Sequence, residues 1–243
     1  MLKNKLQQGE CLIGTWCEIP SPAVSNVIAK AGMDFIIIDM EHGPIDFKVA
    51  QEMSMAAEAD NCQAIVRVSG KDESSILRAL DIGAAGIIVP HIKNEEEADM
   101  AVKFSKFKPV GGRSYNPYVR AMGYNSKSDI GQNNQNAFLA IMLEDINSLK
   151  NLESIISHPA IDLVYLGVYD LAVSMGYGND IKNENVQKVL SDAIKRIIEK
   201  GKAVGCMVHN QEEIDYYKKL GVSFLVYKVD TSVIYDSYKK ISK

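Results

Sequence analysis

The chain has no block of like charge, no long uninterrupted apolar run and no cysteine pair at metal-binding spacing. Its 27 Lys and Arg against 31 Asp and Glu give a formal charge of -4. The basic residues are spread along helix faces, so there is no electrostatic footprint for nucleic acid. No stretch approaches the roughly 18 apolar residues of a membrane span. The opening residues MLKNKLQQGECLIG hold no apolar signal core. The expectation is a cytoplasmic protein without a membrane or nucleic-acid partner. Cys11, Cys17, Cys62 and Cys206 lack Cys-x-x-Cys spacing, and each lies in or beside an apolar run, which reads as free buried thiols in place of disulfides or a zinc site. Gly-x-Gly-x-x-Gly is absent after every apolar run, which argues against a dinucleotide-binding open sheet.

What is present is an alternation of short β-branched runs and longer amphipathic segments. Strands are expected at 12–16, 35–39, 64–68, 86–90, 138–144, 163–167, 203–208 and 224–228, with a helical pattern between each pair and another after the last. Near-continuous apolar strands separated by helices predict a parallel sheet covered on both faces. Eight such units in 243 residues predict an α/β fold, a single-domain (β/α)8 TIM barrel spanning 1–243; a doubly wound open sheet is the alternative. The one long irregular stretch, 108–135, reads as a lid or binding loop.

Barrel active sites lie at the C-terminal ends of the strands, and polar residues collect there. Trp16 ends the first strand and Asp39 the second, with Glu41 and His42 just beyond; Arg67 stands in the third, Glu144 closes the fifth, and Asp170 follows the sixth. His209 and Lys228 belong to the last two. A carboxylate closing the run FLAIML must find a cation when desolvated, so Glu144 requires a metal or an arginine, Arg67 being the candidate ion-pair partner. Asp170 reads either as a helix cap or as a ligand. Two carboxylates without His or Cys partners suit a hard divalent ion that keeps several waters, Mg²⁺ or Mn²⁺, above Co²⁺ or Zn²⁺. Such an ion would chelate a 2-oxo acid and stabilise its enolate, with His42 as base and Arg67 on the oxyanion. His91, His158 and His209 read as structural or surface residues. Lys228 reads as a cation, either paired with Asp230 or another rim acid or reaching toward an anionic group on the aldehyde half of a substrate, and not as a Schiff-base nucleophile, because acids surround it.

The stretches AGMDFIIIDMEHGP, IVRV, LDIGAAGIIVPHIKNEEEA, MLE and YLGVYDLAVSMGY, in this order, resemble the HpcH/HpaI aldolases, metal-dependent (class II) enzymes related to citrate lyase β-type barrels. The resemblance implies an aldolase that reversibly cleaves a 4-hydroxy-2-oxo acid or 2-keto-3-deoxy sugar acid to pyruvate and an aldehyde through a metal-bound enolate. The alternatives are a citrate-synthase-like or acyl-lyase variant, or a non-catalytic barrel that binds a 2-oxo acid. It implies Glu144 and Asp170 as metal ligands, His42 as base with Asp81 as its acidic partner, Arg67 on the enolate oxygen, and Asp39 in the surrounding polar network. The turn at Gly167 and Val168 would bind the pyruvate carboxylate. Trp16, and Arg120 of the expected lid, whose sequence GGRSYNPYVRAMGY differs from the common loop of the family, are candidate substrate-binding residues. A homohexamer with an exchanged C-terminal helix is also implied. Three positions depart from the pattern: Met142 replaces a usual Gln, Val168 a proline, and Lys228 a small residue, commonly Gly.

Overall fold

Strands that are buried on both faces must be apolar throughout, and those of this chain are. The computed structural model describes residues 2–125 and 127–242. Its strands are β1 Leu12–Cys17, β2 Phe35–Asp39, β3 Gln63–Arg67, β4 Gly86–Val89, β5 Phe138–Leu143, β6 Leu163–Leu166, β7 Ala203–Val208 and β8 Phe224–Val229. They pair in parallel, in sequence order, and β8 closes on β1 to form a barrel. No helix among the described residues is long and apolar enough to cross a membrane.

Side chains alternate along each strand, one set filling the barrel and the other packing on the surrounding helices. Phe35, Phe138 and Phe224 fill the lower interior with Leu2, Leu12 and Leu163. The rings of Phe35 and Phe224 stack with centroids 3.9 Å apart. Gly14 lies in register with Phe35, and a Cβ there would come within 2.4 Å of that ring, so the large side chain is accommodated by the absence of one beside it. The outward set, among it Ile36, Ile38, Val66, Ile87, Ile141 and Val164, joins the helix faces in a second, larger cluster. Side-chain caps from Ser21, Asp46, Asp72, Asn94 and Asn210 fix where several helices begin.

The expected lid lies at the other end of the barrel. Residues 108–135 lead from the helix Glu95–Ser105 into β5, and a connection that enters a strand lies where strands begin, opposite the rim where they end. Arg113 donates to Asp81 Oδ1 at 2.7 Å. Arg120 donates to the carbonyls of Ile82 and Gly83 at 3.2 and 2.9 Å and pairs with Glu58. Length and composition had marked this segment as special without indicating which end it covers. It contains the short helices Arg120–Met122 and Ile130–Asn136.

Lys106, buried at the foot of this segment, donates to the carbonyl oxygens of Asn134 and Ala137. Burial lowers its pKa from the ordinary 10.5 to about 8. Between those values the unfolded chain binds more protons than the folded one, so this group makes stability rise with pH across that window. Relative to Lys106→Met, the wild-type protein should gain up to about 3 kcal/mol of unfolding free energy from pH 8 to 10.5. Urea titrations at several pH values check this; a difference that does not change with pH would contradict the burial argument.

Candidate functional site

The inward alternation continues past the strand ends and builds a cavity of about 450 Å³ at the C-terminal rim. Trp16, Asp39, His42, Arg67, Met142, Glu144, Tyr165, Gly167, Val168 and Asp170 line it, together with Glu18, Met207, His209, Lys228 and Asp236. Asp39 and Arg67 are register partners at the ends of β2 and β3, so both side chains enter the same layer. Arg67 Nε donates to Asp39 Oδ1 at 2.9 Å, and its Nη2 pairs with Asp39 Oδ2. The same Oδ1 accepts the backbone N–H groups of Glu41 and His42 at 3.0 and 3.3 Å. The acid ending IIID therefore shapes the turn that carries the histidine. The guanidinium lies 4.4 Å over the Trp16 ring, and Trp16 Nε1 donates to the Tyr165 hydroxyl at 3.2 Å. Burial alone would lower the Arg67 pKa, but Asp39, Glu41 and Glu144 outweigh it and raise it, so this side chain is a fixed cation.

Glu144 is 5% exposed. Burial raises its pKa, His91 opposes that, and Asp170 and Glu41 add to it. The Arg67 pairing open to Glu144 on sequence grounds is not made: the guanidinium serves Asp39 and lies 3.1 Å from Glu41 Oε2. Glu144 Oε1 instead accepts the backbone N–H of His91 at 2.7 Å, with His91 Nδ1 also 2.7 Å away. His91 Nε2 lies 2.6 Å from Glu41 Oε1. Both His91 and Glu41 thus belong to the site's surroundings, although the sequence reading left His91 among structural or surface residues. The available signal was its position two residues after β4.

Asp170 is exposed, in the first turn of the helix Val168–Ser174, whose N-cap is Gly167; the cap role open to Asp170 belongs to that glycine. Gly167 donates its own N–H to Leu143 O, leaving the first-turn N–H groups from Val168 onward directed past the helix end. Asp81 and Arg120 lie at the opposite end of the barrel and do not line this cavity; within one chain Asp81 does not meet His42. Lys228 donates to Asp236 at 2.6 Å, a rim acid, while Asp230 accepts the N–H groups of Glu18 and Ile19. Its φ of 49° falls where the β1–β8 register shifts, a bulge. The Asp236 hydrogen bond raises the Lys228 pKa, keeping the amine protonated.

The donor chemistry fits a hard divalent cation. Glu144 has one oxygen committed to His91 and the other beside Gly167, and Asp170 is a second carboxylate on the same cavity. Among the described residues no ready-made cluster of three or more His, Cys, Asp or Glu ligands occurs, so solvent or substrate oxygens would complete the coordination.

Fold and site together define a barrel enzyme whose pocket sets carboxylates against one arginine, one lysine and two histidines. The chain belongs to the HpcH/HpaI aldolase/citrate lyase family, whose model matches residues 12–234, and it is a lyase of the aldolase type. It is 33% identical over 234 residues to the 4-hydroxy-2-oxo-heptane-1,7-dioate aldolase of Klebsiella pneumoniae, covering 96% of this chain and 88% of that one. It is 30% identical to the 2-dehydro-3,6-dideoxy-6-sulfogluconate aldolase of Pseudomonas putida, covering 94% and 90%. Among solved structures, the citrate synthase SbnG matches with a TM-score of 0.90 at 30% identity, covering 99% of this chain and 96% of that one.

A Cβ at position 167 would lie 2.7 Å from Glu144 Cβ and 2.9 Å from its Oε2. Gly167→Ala should displace the Glu144 carboxylate and lower activity at least tenfold without unfolding the barrel. Assay beside circular dichroism checks this; unchanged turnover would show that the carboxylate position is unimportant. Borohydride reduction in the presence of pyruvate should add no mass at Lys228, as read by peptide mass spectrometry.

Proposed function

We propose that the protein is a divalent-metal-dependent aldolase that reversibly cleaves a 4-hydroxy-2-oxo acid, or a 2-keto-3-deoxy sugar acid, into pyruvate and an aldehyde. The observation that carries this is the fixed Arg67 cation facing the same cavity as His42, Glu144 and Asp170. The names of two relatives, both aldolases of 2-oxo or 2-dehydro acids, support it.

Glu144 and Asp170 would hold the ion, Mg²⁺ or Mn²⁺ by the oxygen character of the donors. When bound, it supplies positive charge to the carboxylate and carbonyl oxygens of the 2-oxo acid. The chain's own residues do the rest. The N–H groups opening the helix at Val168 receive the pyruvate carboxylate. Arg67, held in plane by Asp39 and covered by Trp16, keeps its charge beside the carbonyl oxygen that becomes the enolate oxygen. In the condensation direction His42 takes a proton from C3 of pyruvate, C3 bonds to the aldehyde carbon and the aldehyde oxygen takes up a proton; in cleavage the C4 hydroxyl loses a proton, the C3–C4 bond breaks and His42 returns a proton to C3. The roles implied for Asp81 and Arg120 require a neighbouring copy, which the hexamer implied by the resemblance would supply. A cytoplasmic location completes this reading.

The test is exchange of the pyruvate C3 protons in deuterated water, followed by a panel of aldehydes. Exchange should vanish with a chelator and in Glu144→Gln, and fall by roughly 10²–10⁴ in His42→Ala; exchange at the wild-type rate in that variant would remove His42 as base. The resemblance to a citrate synthase, with Val168 at the carboxylate turn, favours one second reading, a synthase-type enzyme using the same acceptor site. No product with any aldehyde, but turnover of oxaloacetate with an acyl donor, would select it.

A further inference from the structure

We infer that His91 is a positioning residue for the cation site: it holds one oxygen of Glu144 and one of Glu41, leaving the second oxygen of Glu144 to the cavity. The inference rests on the reading of Glu144 as a metal ligand and deepens it.

His91 approaches the site from behind. It is not among the residues lining the cavity, yet its backbone N–H and its Nδ1 both lie 2.7 Å from Glu144 Oε1, and its Nε2 lies 2.6 Å from Glu41 Oε1. One ring thus spans two carboxylates that are almost wholly buried, with side chains 4% and 10% exposed. The ring itself is 49% exposed, so without it water would enter between the two acids, and their mutual repulsion would be screened but not abolished. Glu144 Oε1 would then be held by the backbone N–H of His91 alone, a single contact about which the carboxylate can turn. Groups that bond the far side of a metal-ligating side chain fix its orientation in this way.

The backbone is committed to the same arrangement. His91 has a φ of 57°, an uncommon left-handed conformation for a residue with a Cβ. That conformation follows Pro90, the residue after β4, and in it the N–H and the ring reach one carboxylate together. Lys71 Nζ, itself paired with Glu97, donates to the His91 carbonyl at 3.1 Å and holds the residue from its other side.

Isothermal titration of the metal-free protein with Mn²⁺ tests the inference without reference to turnover. His91→Gly removes the ring but keeps the N–H and accepts the left-handed backbone without strain. It should weaken Mn²⁺ binding about 10–100-fold while leaving the metal-free unfolding midpoint nearly unchanged. His91→Asn, which also tolerates this backbone and carries an N–H donor, should recover part of the affinity. Mn²⁺ binding by His91→Gly that is as tight as wild type, or tighter, overturns the inference, the latter because it would make the ring a competitor for the ion's place. Glu144→Gln is the control: if it binds Mn²⁺ as the wild type does, the ligand reading itself fails and this inference with it. If Glu144→Gln loses the ion while His91→Gly keeps it, only the role of His91 falls.

Discussion

The site depends on one buried ion pair. Asp39 stands in the top layer of the barrel with both oxygens occupied, accepting from Arg67 and from the backbone of Glu41 and His42. A carboxylate so placed does two things at once. It neutralises a guanidinium that burial would otherwise penalise, and it converts the end of a strand into a turn of fixed shape. Removing either partner would leave an uncompensated charge in the interior, a loss of roughly 3–5 kcal/mol, and would release the histidine from its turn. Trp16 closes the guanidinium face and Tyr165 closes Trp16, so the arginine is held by packing as well as by charge.

The barrel was legible in the sequence because strands covered on both faces must be apolar at every position. All eight strands fall within one residue, at either end, of the runs that announce them. The rim was legible for the same reason reversed: a polar residue at the end of such a run has somewhere polar to go. Trp16, Asp39, His42, Arg67, Glu144, Gly167, Val168 and Asp170 all reach one cavity. What failed was orientation at the level of connections. The stretch 108–135 is long and rich in Asn, Gln and Ser, which says nothing about which end of a barrel it closes; only its position between a helix and the following strand does. Arg120 went with it to the far end, and Asp81, at the end of a helix, lies there too. His91 escaped because β4 is followed by proline, with no polar residue inside the run itself to mark its rim.

Family membership and local geometry constrain different things. The family model covers the barrel from β1 into the last helix, and the relatives fix the class of chemistry as an aldolase-type lyase. The lining of the cavity adds detail that the family match does not carry. Met142 puts a thioether near the arginine, with Sδ 4.0 Å from Arg67 Nη1, where the resemblance implies a glutamine. Tyr169 and His209 form a hydrogen-bonded pair at 3.0 Å, and His209 is anchored in turn by Glu213 at 2.9 Å. This side of the pocket is polar and internally paired, while the side under Arg67 and Trp16 is rigid and charged.

The bulge at Lys228 gives the mouth of the pocket an evolutionary property. Its left-handed backbone disfavours any residue with a Cβ by roughly 1–2 kcal/mol, and the compensating contact is a rim ion pair with Asp236, whose side chain is 46% exposed. A change to glycine would exchange a modest strain for a modest attraction and leave the barrel's stability near where it began. Position 228 is therefore a place where descendants of this chain can reshape the mouth of the pocket by single substitutions, while the layer of Asp39 and Arg67 beneath it tolerates almost none.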